Sequence, residues 1–83
     1  MTLDRLIPYL AKSIQLRREQ LNKSHKVLAD ETGFSAEYLE FIESGGTNFS
    51  MKTLGSIADA LRIAPSELIE TAEKLAERDG DLN

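Results

Sequence analysis

Few side chains in this 83-residue sequence could carry catalytic or metal chemistry. His25 is the single histidine and cysteine is absent, so a metal site built on several histidines or cysteines and a thiol nucleophile are both excluded within one chain. Neighbouring carboxylates such as Asp30 and Glu31 could transfer protons, but a chain this short is not expected to form the concave apolar pocket that a substrate needs. We therefore expect no enzyme, no metal, no cofactor and no small-molecule ligand.

The distribution of charge leaves one part of the chain able to approach a polyanion. The formal net charge is −4, which taken alone disfavours a polyanionic partner. Residues 1–52 carry seven basic and seven acidic side chains, whereas residues 53–83 carry three basic and seven acidic ones. Since exposed charges more than about 8 Å apart are largely screened at physiological salt, the acidic C-terminal third need not repel a phosphate backbone bound elsewhere.

The elements that would position these side chains are all helical, because no stretch alternates with period two for the length of a strand. Serine caps, first-turn prolines and left-handed asparagine or glycine endings predict five helices, over about residues 8–22, 25–32, 36–44, 51–61 and 65–79. The prediction is an all-α, compact five-helix bundle that forms one domain over residues 1–83, with its core over about 8–70 and a frayed C-terminus. Val27, Phe34 and Met51 are expected to face the core.

The segment over residues 25–44 has the spacing of a helix-turn-helix. Ala29 is small enough to let two helices cross closely, and Gly33, four residues later, can take the left-handed conformation of the turn. Leu39 and Ile42 are then spaced to anchor the following helix. Each requirement alone is weak evidence, but together they favour this motif.

These positions resemble the phage-repressor type of helix-turn-helix domain, the Cro/CI or XRE-like family, over about residues 10–70. The matching positions are Ile14, Arg18, Leu28, Ala29, Thr32, Gly33, Ser35, Tyr38, Leu39, Ile42, Glu43, Gly45, Asn48, Ser50, Leu54, Ile57, Ala58, Ala60, Leu61 and residues 65–68. The resemblance implies a lambda-repressor-like DNA-binding domain that binds a palindromic operator as a dimer, regulates transcription and inserts its third helix into the major groove. It also implies an ion pair between Arg18 and Glu43.

Several positions depart from the family pattern. His25 stands where the family usually has glutamine, Lys23 where it has an apolar residue, and Phe49 where it often has proline. The predicted third helix holds three carboxylates and no basic residue, although DNA bases are usually read by Arg, Lys, Gln or Asn. A carboxylate can only accept a hydrogen bond, for example from cytosine N4.

If the third helix reads DNA, we expect Ala36 or Phe41 to touch a thymine methyl group and Glu37 to select cytosine. Phosphate contacts, with about three to five charges neutralised per subunit, are expected from the free amides that start the fourth helix and from several side chains. These side chains are Lys23, His25, Lys26, Ser35, Tyr38 and Lys52. The alternative is that the acidic helix is a solvated or protein-binding face, and that the domain is a protein-interaction module or antitoxin-like domain with weak or no DNA binding.

The predicted fifth helix extends about ten residues beyond the usual end of the family's domain. Its apolar stripe of Leu68, Ala72, Leu75 and Ala76 predicts part of a homodimer interface, and the alternative is that the helix packs back on the first helix. No apolar run approaches the ~18 residues of a membrane span, and the N-terminus lacks the order of a signal peptide. A cytoplasmic protein with no membrane partner is therefore expected.

Overall fold

The computed structural model describes residues 3–46 and 49–81. They form five helices, α1 (Leu3–Gln20), α2 (His25–Thr32), α3 (Ala36–Glu43), α4 (Met51–Ala60) and α5 (Pro65–Arg78), and no strand lies within these ranges. α1 packs along α5, α2 packs on α3 and α4, and α3 also contacts α1. The expected all-α architecture is confirmed. No described helix is both long enough and apolar enough to cross a membrane.

Local capping chemistry sets the bounds of the middle helices. The hydroxyl oxygens of Ser24, Ser35 and Ser50 each accept a hydrogen bond from the amide three residues later, at 3.0–3.1 Å, which satisfies an amide that has no acceptor inside its helix. Gly33 ends α2 with a φ of 81° and donates its N–H to the Ala29 carbonyl at 2.8 Å. These features agree with the sequence prediction.

α1 begins earlier than the sequence predicts. It starts at Leu3, so Pro8 lies inside the helix and not in its first turn. Pro8 removes one helical hydrogen bond, but Leu6 and Leu10 are buried on the same face, one turn apart, and their burial offsets that loss. Pro8 also lies against Gly45, where an added Cβ would sit 3.3 Å from the Pro8 Cα atom.

The core runs through all five helices. Its buried members include Leu6, Leu10, Ile14, Leu28, Leu39, Ile42, Leu54, Ile57, Leu61, Leu68 and Ala72. Phe34 packs against this core as expected, but Val27 is 44% exposed and Met51 is 70% exposed, so the prediction that they face inward is wrong. Successive residues are about 100° apart around a helix axis, so three consecutive residues span about 200° and cannot all face the core. Because Leu28 and Ala29 face inward, Val27 faces outward. Met51 lies next to the cap of α4, one turn before the buried Leu54.

The apolar stripe of α5 is part of the monomer's own core. Leu68, Ala72 and Ala76 are at most 1% exposed, on a helix that packs along α1, and Leu75 is half-buried. The prediction that Leu68, Ala72 and Ala76 form a dimer interface is therefore wrong, because a second subunit could reach them only by separating the two helices. The alternative expectation, that α5 packs back on α1, describes the structure.

The chain after α5 contacts the start of α1 as far as Asp81, and the last two residues, where fraying is also expected, lie outside the described residues. Asp81 accepts hydrogen bonds from the Arg5 guanidinium at 2.8 Å and from the Tyr9 hydroxyl. The hydrogen bond to Asp81 raises the pKa of Tyr9 to about 12, and the same bond lowers the pKa of the Asp81 carboxyl. The start of α1 is thereby tied to the end of α5.

Candidate nucleic-acid interface

The turn between α2 and α3 holds α3 across the body of the molecule with one face outward. Leu39 and Ile42 anchor α3 in the core at 1% and 0% exposure, and the small Ala29 of α2 is also buried. The Thr32 hydroxyl accepts the Phe34 N–H at 3.2 Å and so stabilises the backbone of the turn. The position of α3 is therefore set by buried contacts on its inner side.

Three exposed side chains form what we call the outer face of α3: Glu37, Glu40 and Phe41. Phe41 is 51% exposed. Ala36 at the N-terminal end is half-buried, and the half-buried Tyr38 stacks edge-on against Phe34, with ring centroids 5.4 Å apart. Of the predicted base-contacting residues, Glu37 and Phe41 thus lie on the outer face of α3, whereas Ala36 packs against the core.

The third carboxylate of α3, Glu43, is neutralised from inside the molecule. Arg18 donates from Nε to Glu43 Oε2 at 2.7 Å and from Nη2 to Oε1 at 3.0 Å, a two-bond geometry that suits the planar guanidinium. Its Nη1 donates to the Lys23 carbonyl at 2.8 Å. The hydrogen bond to Glu43 raises the pKa of Arg18 above its ordinary value. The ion pair implied by the family resemblance is present, and it ties α1 to the end of α3.

His25 contacts the Glu43 carboxylate of this ion pair, and its side chain is 27% exposed. Its Nε2 lies 3.0 Å from Glu43 Oε1, and its Nδ1 lies 3.9 Å from Glu40 Oε1. A ring whose nitrogens face two carboxylates is poorly placed to bind a phosphate oxygen, so the structure does not support the phosphate role expected for His25.

Lys23 is also directed inward. Its Nζ donates to Glu31 Oε1 at 2.7 Å and to the Ala60 carbonyl at 2.8 Å, and its side chain is only 16% exposed. The ammonium group therefore links α2 to the end of α4, where carbonyl groups lack N–H donors within the helix. Lys23 is not placed as the phosphate contact that the sequence predicts.

Lys26 and Lys52 do remain exposed. Each is the second residue of its helix, and each follows a serine cap, Ser24 for α2 and Ser50 for α4. The first amides of such helices lack intrahelical acceptors and carry the positive end of the helix dipole. Lysine and free amides together can bind a phosphate group at each of these two helix starts.

The two remaining predicted phosphate contacts, Ser35 and Tyr38, lie at the start of α3. Ser35 is exposed, and its Oγ already accepts the Tyr38 N–H at 3.0 Å, which leaves the hydroxyl hydrogen free to donate. Asn48, one of the family-matched positions, lies outside the described residues. Within residues 3–46 and 49–81, no three His, Asp or Glu side chains converge to form a metal site.

Sequence reasoning missed the role of Arg17. Its Nε donates to the Leu61 carbonyl at 3.0 Å and its Nη2 to the Arg62 carbonyl at 3.2 Å, so it binds the end of α4, where Arg62 has a φ of 55°. The adjacent arginines 17 and 18 at the end of α1 were the available signal, because helix ends favour cations. Their partners lie too far along the chain to be deduced from spacing.

The comparisons with known proteins agree with this geometry. Residues 14–68 match the family model described as helix-turn-helix. The crystal structure of the clp gene regulator ClgR from Corynebacterium glutamicum superposes with a TM-score of 0.87 at 21% sequence identity, covering 90% of this chain and 80% of that chain, which shows a shared fold. A search of curated proteins gives no match. This family model covers more than half of the residues of the chain, and the chain therefore belongs to the helix-turn-helix family.

Proposed function

We propose that this protein is a sequence-specific DNA-binding transcriptional regulator, such as a small repressor, that binds a palindromic operator as a homodimer. The observation that carries the proposal is that the outer face of α3 is exposed and that Lys26 and Lys52 are also exposed at the serine-capped starts of α2 and α4. Family membership supports it, as does the shared fold with a protein named as a gene regulator.

The acidic character of α3 opposes DNA binding less than the sequence alone indicates. Of its three carboxylates, Glu43 is paired with Arg18 and is 8% exposed in its side chain. Only Glu37 and Glu40 lie on the outer face, and Glu40 is near the His25 ring. The repulsion from a phosphate backbone therefore comes from two carboxylates per subunit, and Glu37 can be directed at a base edge, where hydrogen-bond donors are available.

Affinity would come mainly from contacts to the phosphate backbone. Four basic side chains were expected to contact phosphates. Two of them, Lys23 and His25, bind groups of the protein itself, so only Lys26 and Lys52 remain available. The number of charges neutralised per subunit is then about two, below the sequence expectation of three to five.

The phosphate role is tested with Lys52→Ala and a matched control, Lys74→Ala. Lys74 is exposed on α5 and forms an i,i+4 pair with Glu70 at 3.3 Å, so both variants remove one exposed ammonium group. Fluorescence anisotropy with genomic duplexes should show that Lys52→Ala weakens binding to all sequences to a similar extent, because phosphates carry no sequence information. Equal effects of the two variants would contradict the assigned contact.

Dimeric binding is proposed on geometric grounds. Two α3 helices must reach successive major grooves about 34 Å apart, which one subunit of this size cannot do. Sedimentation of the protein with a selected palindromic duplex should give two subunits per duplex. A single bound subunit at saturation would overturn the dimeric proposal while leaving DNA binding intact.

A second candidate function is a protein-interaction module. The observation that favours it is the combination of two carboxylates with the exposed Phe41 ring on the outer face of α3. In the anisotropy experiment, salt-sensitive and sequence-dependent binding supports the regulator, and absence of binding at low salt supports this second candidate.

A further inference from the structure

The outer face of α3 presents a hydrogen-bond acceptor, Glu37, and an aromatic ring, Phe41, at a fixed spacing along the helix. Glu37 and Phe41 are four residues apart, so they lie on the same side of the helix, one turn from each other. Glu37 is exposed and, among the described residues, forms no ion pair or hydrogen bond, unlike Glu43. Glu37 is therefore free to bind a donor outside the chain.

The Phe41 ring is oriented by Gly46. A Cβ atom at Gly46 would lie 3.2 Å from Phe41 Cε1 and 3.8 Å from Cδ1, so one part of the ring rests against the backbone that follows α3. A side chain at this position would require the ring to move by a few tenths of an ångström. The ring is still 51% exposed, so its free part faces solvent in a restrained position.

The chemistry of the major groove narrows what this pair can bind. A carboxylate is repelled by the N7 and O6 acceptors of guanine and by thymine O4, and it meets an isolated donor only at the N4 amino group of cytosine. At adenine the N6 amino group stands beside the N7 acceptor, which favours amide side chains over carboxylates. An aromatic side chain gains most from the C5 methyl group of thymine.

We infer that the outer face of α3 reads two nearby pyrimidines, a cytosine and a thymine. Glu37 accepts a hydrogen bond from cytosine N4, and the Phe41 ring, held in place by Gly46, packs on the thymine methyl group. This inference rests on the proposed function and adds the base preference. Four helical residues rise about 6 Å and base steps are about 3.4 Å apart, so the thymine lies within two base pairs of the cytosine. The half-buried Ala36 offers no hydrogen-bonding group and adds no further selection.

Selection from a library of randomised duplexes, using the full 83-residue protein, tests the inference first. Each half-site of the selected consensus should contain a cytosine with a thymine within two base pairs. A consensus that lacks this pair would overturn the inference while supporting the proposed function. Failure to select any duplex, with no salt-sensitive binding, would count against both.

Replacing the thymine of the consensus by uracil isolates the Phe41 contact, because only the methyl group is removed. Loss of one buried methyl group should weaken binding of the unchanged protein about fourfold per half-site. Phe41→Ala should bind the thymine and uracil duplexes equally. Gly46→Ala should reduce the discrimination through displacement of the ring while retaining the cytosine preference. Discrimination that persists in Phe41→Ala would overturn the assignment.

Glu37→Gln tests the cytosine contact, with Glu40→Gln as the matched control. Glutamine pairs with adenine through N6 and N7, so the preferred base should change from cytosine to adenine, by at least about fivefold. Glu40→Gln makes the same charge change on the same helix and should keep cytosine. Both variants alter exposed positions, so folding is preserved. An unchanged preference in Glu37→Gln would show that this side chain reads no base.

Discussion

At the scale of single residues, Arg18 connects more of the molecule than any residue of the outer face of α3. Its guanidinium binds both carboxylate oxygens of Glu43 and the carbonyl of Lys23, and its side chain is 11% exposed. The pair thus joins the end of α1, the loop before α2 and the end of α3. Because the partners are shielded from water, removing one leaves a charge without compensation.

Arg18→Met should destabilise the fold by about 3 kcal/mol, because it leaves the Glu43 carboxylate paired only with His25. For a domain of this size such a loss lowers the melting temperature by roughly 12 °C or more. Thermal unfolding followed by circular dichroism measures it. Lys74→Met, which breaks the exposed pair with Glu70, is the control and should cost at most about 1 kcal/mol. An unchanged melting temperature for Arg18→Met would contradict the structural role of the pair.

The contact between Tyr9 and Asp81 predicts a pH dependence at two ends of the scale. Asp81 raises the pKa of Tyr9 from 10.0 to about 12, so this contact contributes stability below pH 10 that is lost as the pH rises towards 12. The lowered pKa of Asp81 means that its contribution is present at neutral pH and is lost as the pH falls below the ordinary range of a carboxyl group.

Phenolate absorbance during an alkaline titration tests this contact. The titration step that Tyr9→Phe removes should lie near pH 12, and Asp81→Asn should move the same step towards pH 10. A Tyr9 step that does not move in Asp81→Asn would show that the carboxylate is not the cause of the shift.

At the scale of helices, the apolar stripe of α5 belongs to the core of one subunit and not to a contact between subunits. Leu68→Ala should cost about 3 kcal/mol through lost burial and the cavity left behind. The loss should be the same at low and high protein concentration, since no subunit contact is broken. Glu73→Ala on the exposed side is the control and should change stability by at most about 0.5 kcal/mol. A loss that depends on protein concentration would instead place Leu68 between subunits.

The helices could be predicted from the sequence where their determinants are local. Serine caps and the left-handed Gly33 act within four residues of their own positions, so α2, α3 and the start of α4 follow from short-range chemistry. The start of α1 could not be predicted, because Pro8 inside the helix is tolerated only through burial of Leu6 and Leu10 against the rest of the fold.

The candidate interface could be predicted only in part for the same reason. Glu37 and Phe41 are exposed because Leu39 and Ile42 turn inward, which the helical period already indicates. Lys23 is drawn inward by a carbonyl 37 positions later along the chain, and His25 by a carboxylate 18 positions later. No spacing rule gives such pairings before the tertiary arrangement is known.

At the scale of the whole molecule, charge is divided between two regions. Residues 53–83 carry three basic and seven acidic side chains, most of them on α5, while Lys26 and Lys52 are exposed at the starts of α2 and α4. Screening over about 8 Å keeps the acidic helix from cancelling contacts made elsewhere on the surface. A protein with net charge −4 can thus bind DNA through one side.

This arrangement predicts a shallow salt dependence. With two lysines in each of two subunits, about four charges are neutralised, and the slope of log Kobs against log salt concentration should be about −4. Lys52→Ala should bring it to about −2, since one contact is lost per subunit. Anisotropy titrations at several salt concentrations give both slopes. A slope near zero would show that these lysines do not contact phosphates.

Mapping of the bound surface by NMR tests the central claim most directly, because the 9.2 kDa chain gives resolvable amide signals. On addition of a selected duplex, perturbed amides should concentrate over residues 36–41 and at the helix starts 25–26 and 51–52, while the exposed side of α5 over residues 70–77 is unchanged. Perturbation centred on α5, or none at residues 36–41 when the duplex is bound, would contradict the proposal that α3 binds DNA.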